Sequence, residues 1–345
     1  MKTKSMILNV AAAALLSVAP FASAQQTESD GVATNLPGVT TSIAPPSGFN
    51  PLTASDGELA TYGFPPRPDQ NVSPGAFSAW ERAMKASKER VFPVLELTSH
   101  FNGPNVGLGK TGVGTANSYN WSAVVDTTSA KSYGATSIYL AFTEFVIPVA
   151  NQAFGSCTGG MDFSLSWVGI DGYGVSTDML KAGTESDAYC IGGNKRAYLY
   201  SAWFEWYPFA EVRLPNLPVS PGDDMFVEVW SSSSTTGNAY LLNYNTNQYL
   251  EVGILAPPGT QLVGNSAEWV VERPSENGRL ATLTNYISDY FSGAAAETVA
   301  GTVYYPGSSA AISLTMLDNS GNPISYPTLL GSYGIWFQDE GSARW

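Results

Sequence analysis

From about residue 116 to the C-terminus, apolar positions recur with a period of two in short runs broken by Gly, Asn, Pro and Ser. Period-two runs bounded by turn residues predict β-strands. The expected strands are 119–125, 137–147, 162–170, 196–207, 225–231, 239–244, 248–253, 267–272, 300–305, 311–316 and 333–338. With so few helix signals between them, residues 116–345 are expected to form an all-β domain, built as a two-sheet antiparallel β-sandwich. One helical pattern precedes it. Ser73 can cap it, Pro74 suits its first turn, and Phe77, Trp80 and Met84 then fall on one face. That predicts a helix near 74–89 whose apolar stripe docks on the following domain.

Alternation also sorts side chains by face. In 196–207, Tyr198, Tyr200, Ala202, Phe204 and Trp206 share one face and read as core. Ser201, Trp203, Glu205 and Tyr207 share the other, a mixture of aromatics and carboxylate that suits the floor of a binding groove. The strand ending at Asp171 repeats the split, with Val168 and Ile170 against Trp167, Gly169 and Asp171. Along 267–272, Glu268, Val270 and Glu272 point together.

The chain opens as an export signal. Lys2 and Lys4 precede a short apolar run at Met6–Leu16, and Ala22-Ser23-Ala24 is a small-x-small cleavage site. Residues 1–24 are therefore expected to be a signal peptide, and the mature protein to be periplasmic or secreted. Residues 25–60, rich in Gly, Pro, Ser and Thr, read as a disordered leader. Residues 61–115 read as a pro-segment-like region carrying the helix. The only cysteines, Cys157 and Cys190, are expected to form one disulfide in an exported protein. Closing that loop would stabilise by about 3–4 kcal/mol on the loop-entropy model.

Charge and histidine content exclude several functions. A net charge of −13 argues against nucleic acid and anionic membranes as partners. The charge is uneven: residues 61–115 carry a net of +2 and residues 116–345 a net of −13. So few cations in the main domain favour acid tolerance, because little positive self-repulsion builds up when carboxylates protonate. His100 is the one histidine, and it lies before the main domain, which excludes HExxH zinc chemistry. No metal or cofactor is implied. Catalysis, if present, rests on carboxylates, Lys, Tyr or amides.

Four blocks stand in order: Asn120-Trp121-Ser122; Trp167-Val168-Gly169-Ile170-Asp171-Gly172 running on to Leu180-Lys181-Ala182-Gly183; Ala202-Trp203-Phe204-Glu205-Trp206-Tyr207-Pro208; and Ala267-Glu268-Trp269-Val270-Val271-Glu272. Together they resemble the glutamic peptidases, or eqolisins, secreted hydrolases acting in acid on a concanavalin-like sandwich. The resemblance implies a catalytic pair, a Glu matched by Glu272 and a Gln whose position is held by Lys181. It places Trp121, Trp167, Asp171, Trp203, Glu205 and Tyr207 at groove or supporting positions. A Gln amide can both accept from the attacking water and donate to the oxyanion, whereas an ammonium only donates. A cation beside Glu272 would lower its pKa.

Three functions follow from these residues. One is an exported acid endopeptidase with an altered Lys/Glu pair, monomeric, acting on polypeptides, its basic 61–115 segment lying on the acidic groove until the pH falls. The second is an inactive homologue whose Trp-lined groove binds a peptide or glycan. The third is changed chemistry, a polysaccharide lyase or glycosidase using Lys181 or Tyr207 as base, or Glu205 and Glu272 as a carboxylate pair.

Overall fold

The computed structural model describes residues 31–100, 102–112, 114–153, 160–174, 176, 178–190, 196–276 and 278–340. The expected signal peptide and Cys157 lie outside them. Cys190 is buried, and the described residues hold no free cysteine.

The protein is all-β and mostly antiparallel. Its main strands are β1 (Trp121–Thr127), β2 (Ile138–Val146), β3 (Leu165–Ile170), β4 (Met179–Cys190), β5 (Arg196–Tyr207), β6 (Asp224–Ser233) and β7 (Thr236–Asn243). They continue with β8 (Gln248–Leu255), β9 (Ser266–Glu272), β10 (Ser288–Thr298), β11 (Ile312–Leu317), β12 (Pro323–Leu330) and β13 (Gly334–Asp339). One antiparallel run is β5–β4–β3–β9–β1–β11. Another is β8–β7–β6–β2–β10–β13–β12. Pairing of β11 with β12 joins them into one hydrogen-bonded network.

The period of two decides what each face buries. Val168 and Ile170 of β3, Leu180 and Ala182 of β4, and Ala202, Phe204 and Trp206 of β5 join one apolar core with Val227 and Val229 of β6, Leu241 of β7 and Val252 of β8. The opposite face of β1, β3, β4, β5 and β9 is left for polar and aromatic groups, and the candidate site lies there. Of the set on β5 expected in the core, Tyr198 is exposed, because it sits toward the strand's outer end.

The segment before the β domain departs from expectation. Residues 31–60 are not a free leader. Val39–Thr41 pairs with β8, and helix α1 (Asp56–Thr61) carries a full capping box between Ser55 and Glu58. Helix α2 (Pro74–Ala86) forms where the periodicity placed it, although the Ser73 hydroxyl at its N-cap makes no capping bond. Its stripe buries Trp80 and Met84, with Phe77 beside them, against Phe142, Phe226, Tyr240 and Tyr249. Burying a Met-sized side chain alone contributes about 1.5–3 kcal/mol, so the leader is firmly docked.

This docking corrects the expected electrostatic role of the basic segment. Arg82 pairs with Glu144, Arg90 lies 3.7 Å from Glu251, Arg67 lies 3.8 Å from Asp56, and Lys85 lies 3.0 Å from Glu81 on its own helix. Glu144 and Glu251 belong to β2 and β8, so Arg82 and Arg90 serve the far run of strands, while Arg67 and Lys85 pair within the leader itself.

Candidate active site

Register brings the expected residues together. Lys181 of β4 stands opposite Gly169 of β3 and Glu205 of β5, while Glu272 of β9 stands opposite Trp121 of β1 and Leu165 of β3. Two glycines make room for this. A Cβ on Gly169 would lie 2.9 Å from Trp167 Cζ3 and 3.1 Å from Lys181 Cβ, and one on Gly183 would lie 2.0 Å from the Ser166 carbonyl oxygen. Side chains at those positions would force β3 and β4 apart and lift Lys181 out of register.

Lys181 is fully buried, with Nζ 3.5 Å from Glu272 Oε2 and 3.5 Å from Glu205 Oε2. The ammonium also donates to the Asn102 carbonyl oxygen. It lies 4.8 Å from the Trp167 ring centroid and 5.7 Å from that of Trp203. A desolvated cation over aromatic faces gains quadrupole attraction, which offsets part of its burial cost. Trp167 Nε1 donates to Glu272 Oε2 at 2.9 Å, and Asn120 Nδ2 donates to Glu272 Oε1 at 3.4 Å. Trp121 meets Trp167 edge-on at 5.1 Å. Tyr207, half-buried at the end of β5, packs against the same aromatic group.

Burial dominates the carboxylates. It pushes Glu205 up to about 7, against the pull of Lys181. Burial likewise holds Glu272 above the usual carboxylate range, with Lys181 opposing. The cation acts in the expected direction, yet loss of hydration outweighs it. Glu268, on the same face, is raised strongly by burial.

Asp171 lies apart from the pair. Its backbone is left-handed at φ 68°, and its carboxylate accepts from the backbone N–H groups of Val263 at 2.7 Å, Gly264 at 3.0 Å and Asn265 at 2.8 Å. It is a clamp on the loop entering β9, and it supports the site through that loop and through Gly172.

Other residues escaped the sequence reading. Asn102 lies directly on Lys181. Beyond it, Glu185 and Asp187 of β4 continue the Lys181 face, and Arg213 of the neighbouring strand Val212–Arg213 approaches with Glu211 just before it. Arg213 and the Ser201 hydroxyl both donate to Glu185, and Asn102 Nδ2 donates to Glu211 Oε2 at 2.8 Å. Asp187 is raised strongly, by burial first and by Glu185 second. His100, Glu185 and Glu211 present ligand atoms within 4.8 Å of one another, but the Arg213 guanidinium already sits 3.7 Å from Glu211 and bonds Glu185, filling the role of a cation. A signal for this group was available: Lys181, Gly183, Glu185 and Asp187 alternate along one stretch, as residues on one strand face do.

The site is closed. Lys181, Glu205 and Trp203 are fully buried and Glu272 is 1% exposed, and the Asn102 backbone bonds both Lys181 and Glu205. Chemically, the arrangement sets an ammonium donor between two carboxylates and two indole rings.

Comparison with known proteins bears on the family and the fold. The profile of the Peptidase A4 family matches residues 119–328. Aspergillopepsin-2 of Aspergillus niger is 30% identical over 138 residues, covering 40% of this chain and 47% of that protein. Scytalidopepsin B of Scytalidium lignicola is 32% identical over 118 residues, covering 34% of this chain and 42% of that protein. The chain thus spans about half the length of the curated relatives it matches. Among solved structures, scytalido-glutamic peptidase with a transition-state analogue inhibitor superposes with a TM-score of 0.52 at 21% identity, over 64% of this chain and 98% of that one, which shows a shared fold.

Proposed function

This chain belongs to the peptidase A4 family, and on that premise we propose that it is an exported acid endopeptidase, made as a closed precursor, in which Glu272 and Lys181 form the working pair. Membership implies polypeptide substrates. The observation that carries the reading is the 3.5 Å approach of Lys181 Nζ to Glu272 Oε2 on a face built from Trp121, Trp167 and Trp203. Lys181 stands where the family's Gln is expected.

In its ionised form, which Lys181 favours against burial, Glu272 is the general base that takes a proton from water as it attacks the scissile carbonyl. Trp167 and Asn120 fix the carboxylate by donating to its two oxygens. Lys181 stabilises the oxyanion with a full positive charge in a water-poor site. Glu205 orients the ammonium, and Trp203 and Tyr207 wall the cleft. Since an ammonium accepts no hydrogen bond, Glu272 alone must orient the water. The two runs of strands pack as the two sheets of a sandwich around the apolar core, with this cleft on the outer face of one of them. Export motivates a Cys157–Cys190 disulfide, which peptide mapping before and after reduction tests.

One observation favours a second reading, a peptide- or glycan-binding homologue without turnover. Lys181 is shared between two carboxylates, a carbonyl and two rings, and so resembles a structural ion cluster. Breaking such a buried cluster is costly whether or not it is catalytic. Denatured casein incubated in acid with wild type and Glu272→Ala separates the two. Cleavage by wild type alone supports the peptidase; intact casein with both, together with binding on a glycan or peptide array, refutes it.

A further inference from the structure

The outer face of the second run of strands is covered at one end and bare at the other. Over β2, β6, β7 and β8, helix α2 and the residues before it pack on Phe142, Phe226, Tyr240 and Tyr249. Over β10, β13 and β12 the face meets solvent, with Tyr290 46% and Trp336 39% exposed and Leu330 exposed beside them. Alternation fixes what it presents. Phe291, Ile335 and Phe337 point into the core, so Ser288 and Tyr290 of β10, and Gly334, Trp336 and Gln338 of β13, point out. Register adds Tyr326, Thr328 and Leu330 of β12, which stand opposite Gln338, Trp336 and Gly334. None of these side chains is charged.

The rings and the small polar groups fall in rows. Thr328, Trp336 and Tyr290 cross three strands side by side, and Tyr326, Gln338 and Ser288 form the next row. Exposed Val146 of β2 extends the first row, because Phe145 stands opposite Phe291. Neighbouring strands lie about 4.8 Å apart, so that row runs for about 14 Å. A Cβ on Gly334 would lie 3.5 Å from the Tyr290 hydroxyl oxygen, so the Tyr290 ring leans over β13 toward space that a larger side chain would claim. Charges stand at the rim. The Tyr326 hydroxyl donates to Glu340 Oε1 at 3.3 Å, and Glu144, opposite Ser292, is held by Arg82 and by the Tyr244 hydroxyl.

Indole and phenol rings set among hydroxyl and amide groups match a sugar ring, whose C–H face is apolar and whose hydroxyls project from its edge. In a chain of net charge −13, an uncharged strip attracts neither a basic nor an acidic partner and suits a neutral one. A protein partner would need a broader apolar centre or paired charges to fix its register. We infer that this strip is a docking site for an extended, uncharged polysaccharide, with Trp336 and Tyr290 stacking on sugar faces and Thr328 and Gln338 bonding sugar hydroxyls. The inference goes beyond the peptidase reading and does not depend on it, since the strip and the Lys181 face lie on opposite sides of the apolar core. A protein held in this way stays on a glycan surface with its Trp-lined cleft free.

The test is native electrophoresis of the full chain at neutral pH through gels containing mixed-linkage β-glucan or hydroxyethyl cellulose, with polygalacturonate as the acidic control. The neutral polymers should retard wild type and polygalacturonate should not. Trp336→Ala should weaken the retardation by about tenfold or more, as truncating an interface Trp does, and Trp336→Tyr should keep most of it. Thr328→Glu removes no packing but puts a charge on the strip, and it should lose the retardation while melting like wild type. Failure of both neutral polymers to retard wild type overturns the inference. Retardation that survives both Trp336→Ala and Thr328→Glu also overturns it, and places glycan binding elsewhere, as in the cleft. A wild type that dimerises without being retarded, with Trp336→Ala monomeric, overturns it too and makes the strip an interface between copies of this chain.

Discussion

Replacing Asp289 by Asn should flatten the protein's loss of stability between acid and neutral pH. Asp289 of β10 is buried at the core, where its carboxyl accepts from the Ser166 hydroxyl of β3, linking the two runs of strands. Burial pushes it from 3.8 up to about 7. A folded pKa above the unfolded one means the native state holds a proton that the unfolded chain has released. The stabilisation is complete below the unfolded value of 3.8 and is lost as pH rises through about 7. About three pH units at 1.36 kcal/mol each give a loss of about 4 kcal/mol from this one group. Asparagine keeps the shape and an acceptor for Ser166 but does not titrate. Urea unfolding of the full-length Glu272→Gln chain, with and without Asp289→Asn, measures the difference. The two should be similarly stable near pH 4, and the Asn variant should be more stable near pH 8 by an amount approaching about 4 kcal/mol. Equal slopes against pH would refute the reasoning.

Other outcomes follow from the same geometry. Gly183→Ala should cost about 3 kcal/mol or more, since its Cβ would sit 2.0 Å from a backbone oxygen, and a thermal melt reads this directly. Trp80→Ala removes the centre of the α2 stripe and should cost about 3–5 kcal/mol of leader docking, seen as early proteolysis between residues 31 and 100 with the β domain intact. Asp171→Ala strips three backbone N–H groups of their acceptor. It should lower the melting temperature of the processed enzyme while leaving its pH profile in place, because Asp171 clamps a loop and does not touch the pair.

Much of the fold was legible because period-two alternation is a direct imprint of one-sided burial. β5 spans the expected residues, and its two faces divide as read, apart from exposed Tyr198. β4 was not legible as a strand. Its run Lys181-Ala182-Gly183-Thr184-Glu185-Ser186-Asp187 carries polar groups at almost every position, since its outward face is the site and its inward face holds small residues. The same chemistry hid β10, whose Ser292-Gly293-Ala294-Ala295-Ala296 stretch lacks large apolar side chains and bulges against β2. The nearness of Lys181 to Glu272 was implied by the resemblance of the four blocks to the glutamic peptidases, and the register of β3, β4 and β9 brings the two side chains to 3.5 Å. Asn102 was not, because its role depends on a long-range crossing of the chain that no local pattern encodes. The leader was misread for a related reason: its Gly- and Pro-rich composition suits irregular backbone, yet contacts to β8 and to the α2 face order it. The buried carboxylates, which hold protons in the folded state, favour stability in acid in the same direction as the scarcity of cations.

The most direct test of the central claim is the pH dependence of kcat/KM for a peptide substrate, compared between processed wild type, Lys181→Gln and Glu272→Ala. The account predicts an active wild type, an inactive Glu272→Ala, and an acidic limb displaced to higher pH in Lys181→Gln, because the cation that lowers the Glu272 pKa is gone. Turnover by Lys181→Gln with none by wild type would contradict it, and would make Lys181 the lock on a dormant site.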